Sequence, residues 1–341
     1  MKRSLIAILV FCFLLSMAGT VLAMPIDING DIRIRDIAAD DTITGPNASP
    51  LKKSYWQFRV RVNVQGKIDD DTSFFARFSS RNSMGGAVAS VGNSSDSAFD
   101  QYGIILNSGN WKYSAGRQTV SLGQGAILST GYDAAGVDNK FDGLVASFND
   151  GNYKVNIIGG KTDKITTEDA PKWPDTTNQI TEWYGMDIST KLGDKVTAGA
   201  AYAHSKQDVI STGISRNTWA FNTIITPSNA FTFKGEIAQS NAPTDKKGYF
   251  VSGTYNWDKD SFTVSYNNVQ KYALDPSNSG IGGWMYPVVG NNMGNAYHGF
   301  TYTYRHPMTK SATLTMSYYD LEVPNQTGSD RELITSIVWK F

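Results

Sequence analysis

The stretch SYWQFRVRVNVQ, residues 54–65, places Trp56, Phe58, Val60, Val62 and Val64 on one phase and Gln57, Arg59, Arg61, Asn63 and Gln65 on the other. Strict alternation is the period of a β-strand with one apolar and one polar face. In a soluble sheet the Trp, Phe and Val side chains would lie on a core and the arginines would meet solvent. In a membrane sheet the apolar face meets hydrocarbon, and the arginines need water on the other side. The rest of the chain decides between the two.

The same alternation recurs at intervals of about 20 residues. It predicts sixteen strands, at 26–36, 54–66, 73–82, 98–107, 111–119, 140–149, 152–161, 181–191, 195–205, 215–226, 230–239, 247–257, 261–271, 295–305, 310–321 and 331–341. Seven connections are short and rich in Asp, Asn, Gly and Pro: Lys67–Thr72, Ser108–Asn110, Asn149–Gly151, Leu192–Asp194, Thr226–Asn229, Asp258–Asp260 and His306–Thr309. These residues supply the backbone angles that tight hairpins require. Between them lie long connections, at 37–53, 83–97, 120–139, 162–180, 206–214, 240–246, 272–294 and 322–330. Short and long alternate, so all short turns fall at one end of an up-and-down sheet and all long loops at the other. Bacterial outer-membrane barrels have this asymmetry. No segment repeats from unit to unit as a solenoid would.

Aromatic residues gather beside the short turns: Trp111, Tyr113, Phe148, Tyr153, Phe231, Trp257, Phe262, Tyr304 and Trp339. Amphipathic rings favour the headgroup level of a bilayer. The large side chains of a soluble sandwich would concentrate at mid-strand. The polar phase carries Arg33, Arg35, Arg59, Arg61, Arg77 and Arg81, and later Lys234 and Glu236, which is too much charge for a dry interior. The expected fold is therefore all-β, a transmembrane up-and-down antiparallel barrel of about sixteen strands with short periplasmic turns and long extracellular loops. Closure leaves no unpaired edge in lipid, and a barrel of this size encloses water.

The N-terminus fits that destination. Lys2 and Arg3 precede an apolar run from Leu5 to Met17, and Val21-Leu22-Ala23 has small residues at the positions a signal peptidase reads. A secretory signal over residues 1–23 with cleavage after Ala23 is expected. The competing readings are a lipoprotein signal at Cys12 and an uncleaved anchor. The apolar run continues past Cys12, and it is short for a hydrocarbon core of roughly 30 Å. Residues 24–341 then form one barrel domain, without cysteine and hence without disulfides. Loss of Lys2 and Arg3 leaves 29 basic and 31 acidic side chains. This balance argues against a nucleic-acid partner.

Taken together, the chain resembles a Gram-negative general porin. The likeness rests on the strand count, the alternation of turns and loops, the ending ELITSIVWKF, and YSAGRQTVSLGQG at residues 113–125. The last resembles the Gly-Arg-Gln end of the fifth porin strand, just before the long third loop. The resemblance implies a homotrimer in outer-membrane lipid, passing small hydrophilic solutes and ions. It implies a C-terminal signal, with Trp339 and Phe341, read by the barrel-assembly machinery. It also implies a third loop, here about residues 119–139, folded into the tube so that Asp133 and Asp138 face a basic wall. Arg33, Arg35, Arg59, Arg61, Arg77, Arg81 and Arg117 are the candidates for that wall, with a mild anion preference as the consequence. Arg117 shares a phase with Trp111 and Tyr113, so an inward Arg117 requires a bulge at Gly116.

Other constellations carry less. Asp69-Asp70-Asp71 lacks the spacing of a calcium loop and reads as a hairpin tip. His204, His298 and His306 do not have metal-ligand spacing. Gly123-Gln124-Gly125 precedes no helix, which speaks against a phosphate cradle. The Gly/Asn-rich segment 280–295, with Trp284 and Tyr286, reads as a packed surface loop or a sugar-stacking one. No cofactor is expected and no enzyme activity. The alternatives are a sugar-selective channel, a membrane-embedded hydrolase with a Ser–His or Asp–His site, a soluble secreted sandwich and a surface adhesin.

Overall fold

The computed structural model describes residues 25–41, 51–84, 94–130, 140–162, 181–207, 214–270, 272–274, 296–322, 324 and 327–341. The strands are β1 (Ile26–Asp41), β2 (Leu51–Lys67), β3 (Thr72–Met84), β4 (Ser94–Ser108), β5 (Trp111–Gln118), β6 (Ser121–Leu122), β7 (Leu128–Ser129), β8 (Phe141–Asn149), β9 (Tyr153–Thr162), β10 (Thr181–Lys191), β11 (Val196–Gln207), β12 (Ile214–Ser228), β13 (Phe231–Ser240), β14 (Lys247–Trp257), β15 (Asp260–Val269), β16 (Tyr297–Pro307), β17 (Ala312–Glu322) and β18 (Asp330–Lys340). All except β6 and β7 form one closed antiparallel barrel, each strand pairing with its sequence neighbours and β1 closing on β18. This is the sixteen-strand architecture that the alternation predicts, and it removes the soluble sandwich. The Phe341 N–H and C=O exchange hydrogen bonds of 3.1 and 2.9 Å with Gly30, which continues the closing ladder to the last residue.

The strand ends and one loop differ from the sequence reading, and β4 begins at Ser94 rather than 98. β1 and β2 run past the expected ends at 36 and 54, because ladder pairing needs only backbone groups and continues where side-chain alternation lapses at Ile37-Ala38-Ala39. The expected loop 120–139 also contains a small hairpin, β6–β7.

The faces separate as the opening stretch requires. Outward-facing Phe221, Val251 and Ile237 are 64%, 59% and 53% exposed, whereas inward Arg33, Gln57 and Glu236 are buried. Apolar side chains on the open outer face of a closed sheet have no protein to pack on, and lipid is the solvent that suits them. At the short-turn end the outer rings form ladders of stacked and tilted pairs. Tyr113, Trp111 and Phe148 make one group, and Phe231, Tyr255, Trp257 and Tyr304 make another. At the loop end the outer phase becomes charged instead. Cross-strand neighbours Arg117, Asp142, Lys161 and Glu182 alternate in sign over β5, β8, β9 and β10. The turns use the expected chemistry. Asp69 accepts from the Asp71 and Thr72 N–H groups (3.0 and 2.7 Å), and the Thr72 hydroxyl, followed by these backbone bonds, holds its carboxyl below the usual range.

Candidate functional site

The lumen is organised by the hairpin β6–β7. After Gln118 the chain leaves the wall and turns inward, and Leu122 packs against the inner face of β10, where Gly185 leaves room for it. Leu122, Ala126, Ile127 and Leu128 form a dry cluster with Phe141, Ile158, Trp183, Ala201 and Ala203. The inner phase of β4, β5, β8 and β9 makes space for this cluster with a cross-strand row of glycines, Gly103, Gly116, Gly143 and Gly160, next to Trp183. The Trp183 indole N–H donates to Thr162 Oγ1 at 3.0 Å, so its one polar atom is satisfied.

The hairpin tip is latched to the far wall. Glu236, on β13 and 2% exposed, accepts from the Gln124 N–H through Oε1 (3.2 Å) and from the Ala126 N–H through Oε2 (3.3 Å). Gln124 Nε2 donates to the backbone carbonyls of Thr223 and Gly235, at 3.0 and 3.4 Å. Gly123 and Gly125 have φ of +65° and +99°, and a Cβ at Gly123 would collide with the Glu236 carboxylate. The Gly-Gln-Gly tip thus cradles a carboxyl group, the protein's own Glu236. A second carboxylate, Asp187 on β10, accepts from Asn156 Nδ2 at 3.1 Å and lies at the Gly123 N–H.

With the hairpin on the β10–β13 side, the opposite wall is basic. Arg33, Arg59 and Arg81 stand directly across from one another on β1, β2 and β3, and Arg61 follows in the next row. Like charges in register repel, and the wall offsets this in part. Arg59 pairs with Asp31 at 2.6 Å, and Arg33 donates to Gln57 Oε1 at 2.6 Å. Arg33, Arg35, Arg59 and Arg305 share a recess of about 370 Å³ with the hydroxyls of Thr301, Thr303, Thr315 and Ser317. Arg77 is neutralised. A bulge opposite Arg77 and Phe78 leaves Asp100 unmatched in the ladder, and its carboxylate takes the Arg77 guanidinium in a fork of 2.7 and 2.6 Å.

Arg117 corrects the expectation of an inward side chain. No register shift occurs at Gly116 in either ladder, so Arg117 keeps the outward phase of Trp111 and Tyr113 and forks onto Asp142 at 2.9 and 2.7 Å. Asp133 and Asp138 lie outside the described residues, as do residues 1–23 and the segment 280–295. Trp339 and Phe341 sit at the short-turn end of the closing strand pair. An Asp–His pair does exist, Asp260 with His306 at 2.6 Å, but it stacks in the outer aromatic ladder beside Tyr304. Among the described residues no group of three or more His, Cys, Asp or Glu could hold a metal.

The solved structures most like this one include two variants of the Rhodopseudomonas blastica porin. They have TM-scores of 0.56 and sequence identities of 12% and 11%, and cover 93% of this chain and all of theirs. A third, an engineered protein described by its asymmetric conductivity, has a TM-score of 0.54 at 11% identity over the same share of each chain. No protein-family model matches the sequence, and no curated protein matches it either. At these identities the likeness is one of fold, and the fold is that of the sixteen-stranded porins.

Proposed function

We propose that this protein is an outer-membrane porin, a water-filled channel for passive diffusion of small hydrophilic solutes and ions with a mild preference for anions. The observation that carries this reading is the division of the lumen. One side is occupied by the latched hairpin, and the other is a wall of arginines standing in register on β1–β3. Selectivity in a wet tube is set by the field at its narrowest section, and a charged wall in a low-dielectric surround concentrates counter-ions. Secretion through residues 1–23, assembly through Trp339 and Phe341, and a homotrimeric state in the outer membrane belong to the same proposal. Among the arginines, Arg33, Arg35, Arg59, Arg61 and Arg81 set the field. Arg77 and Arg59 contribute less than the others because Asp100 and Asp31 offset them in part. Asp133 and Asp138 remain in the proposal as the loop carboxylates that complete the transverse field.

A sugar-selective channel would be favoured by exposed rings strung down the lumen. Inward Tyr55, Trp183, Phe250, Tyr297 and Tyr319 are instead buried. The test is reversal potential in a salt gradient across a planar bilayer. Arg59→Gln with Arg61→Gln should lower the anion-to-cation permeability ratio and leave an open channel. An unchanged ratio would remove the arginine wall as the source of selectivity.

A further inference from the structure

The chain is nearly neutral, yet its cations are not spread evenly. At the short-turn end of the barrel, six lysines fall on the lumen-facing phase: Lys67, Lys112, Lys154, Lys191, Lys234 and Lys340, on β2, β5, β9, β10, β13 and β18. Each lies within four residues of its strand's short-turn end, and all six are exposed. They are spread over six strands from β18 through β2 round to β13, and on the remaining arc, β14–β17, the lumen-phase cation near the short turns is Arg305 on β16. None is ion-paired to a described residue, in contrast to Lys140 and Lys161 higher in the barrel.

The residues directly across the ladders explain why they have no partner. Lys67 faces Ser73; Lys112 faces Asn107 and Ser147; Lys154 faces Asn149 and Ser189; Lys191 faces Thr197; and Lys234 faces Ile224 and Ser252. Only Lys340 has a carboxylate opposite, Asp31, and that group is engaged by Arg59 at 2.6 Å. The other lumen-phase carboxylates near this level among the described residues include Asp27 and Glu236, and Glu236 is engaged by the Gln124 and Ala126 N–H groups. The aspartates of the turns, Asp69 and Asp150 among them, lie beyond the strand ends, where these two cap their own hairpins.

From this we propose that the short-turn vestibule is a binding annulus for soluble multivalent phosphates, which enter from that side and block the current. The proposal rests on the channel reading and adds a site distinct from the arginine wall. A single exposed ammonium holds a monovalent anion weakly. An anion with several charges meets several ammonium groups at once, and each further contact is intramolecular. Flexible lysine stems suit an extended chain of phosphates better than one planar group, for which the fork of arginine is the better match. The annulus also makes the tube electrically asymmetric along its axis.

The experiment uses the refolded full channel in a planar bilayer at 0.1 M KCl, with inorganic tripolyphosphate added to one side and then the other. Block from one side only is expected. It should disappear in 1 M KCl, where the Debye length falls to about 3 Å. The triple variant Lys112→Gln, Lys154→Gln, Lys191→Gln should conduct, with roughly tenfold or more weaker block. Arg59→Gln should leave the block in place. A conducting channel blocked equally from both sides, or blocked normally in the lysine variant, overturns the annulus. A protein that forms no channel overturns the function proposed above instead.

Discussion

Replacing Glu236 with alanine should release the third-loop hairpin and widen the channel. The substitution removes both acceptors for the Gln124 and Ala126 N–H groups. A hydrogen bond contributes about 0.5–1.5 kcal/mol net, and each buried donor left without an acceptor costs roughly 1–3 kcal/mol. The barrel ladder does not depend on this contact, so the variant should still fold. Single-channel recordings should show a larger mean current and added slow fluctuation as the tip detaches. Glu236→Gln keeps one acceptor oxygen but sets an amide N–H₂ against the other donor, and an intermediate phenotype is expected. An unchanged current and noise spectrum would mean that the packing of Leu122 and the Gln124 side chain hold the hairpin without the carboxylate.

Gly143→Val should prevent the barrel from forming. Gly143 lies opposite Gly116 on one side and Gly160 on the other. A Cβ there would overlap the Gly159 carbonyl and lie 2.7 Å from both the Gly160 Cα and the Phe141 ring. Two of these obstacles are backbone, which cannot rotate away, so the cost exceeds the roughly 1–3 kcal/mol usual for overpacking. The yield of refolded barrel, read as β-sheet circular dichroism, should collapse. Gly235→Val is the control. Gly235 faces outward with nothing closer than 3.8 Å to its added Cβ, and should refold normally.

The fold was legible because alternation and turn chemistry are local. Val60 and Arg59 declare opposite faces from neighbouring positions, and Asn149-Asp150-Gly151 declares its hairpin without reference to anything distant. The site was less legible. Gln124 and Glu236 are 112 residues apart, and no spacing rule connects them. Gly123-Gln124-Gly125 precedes no helix, so the sequence spoke against a phosphate cradle there, and nothing local pointed to the Glu236 carboxyl that the tip holds. The small inner phase of Gly143, Gly160, Gly185, Ala201 and Ala203 is the signal that could have shown an inward hairpin, since small residues on a wall leave room for something to pack. Asp100 illustrates a different limit. One extra residue in β4 turns a carboxylate onto Arg77, and an inserted residue inside an ordinary-looking strand leaves no mark on composition. At Arg117 the phase was readable and the bulge was not needed. The side chain follows its strand outward and finds Asp142 on the neighbouring one.

Water inside and lipid outside is the central claim, and neighbouring residues on one strand test it most directly. Val251 faces outward and Ser252 inward on β14, where Ser252 lies across from Lys234 and Ser265. Cys12, the chain's only cysteine, falls in the expected signal, so a mature protein carries no competing thiol. With Ser252→Cys and Val251→Cys reconstituted separately in bilayers, a charged, membrane-impermeant thiol reagent should react rapidly with the first and lower its current, and should leave the second untouched. Rapid modification at position 251 with protection at 252 would contradict it.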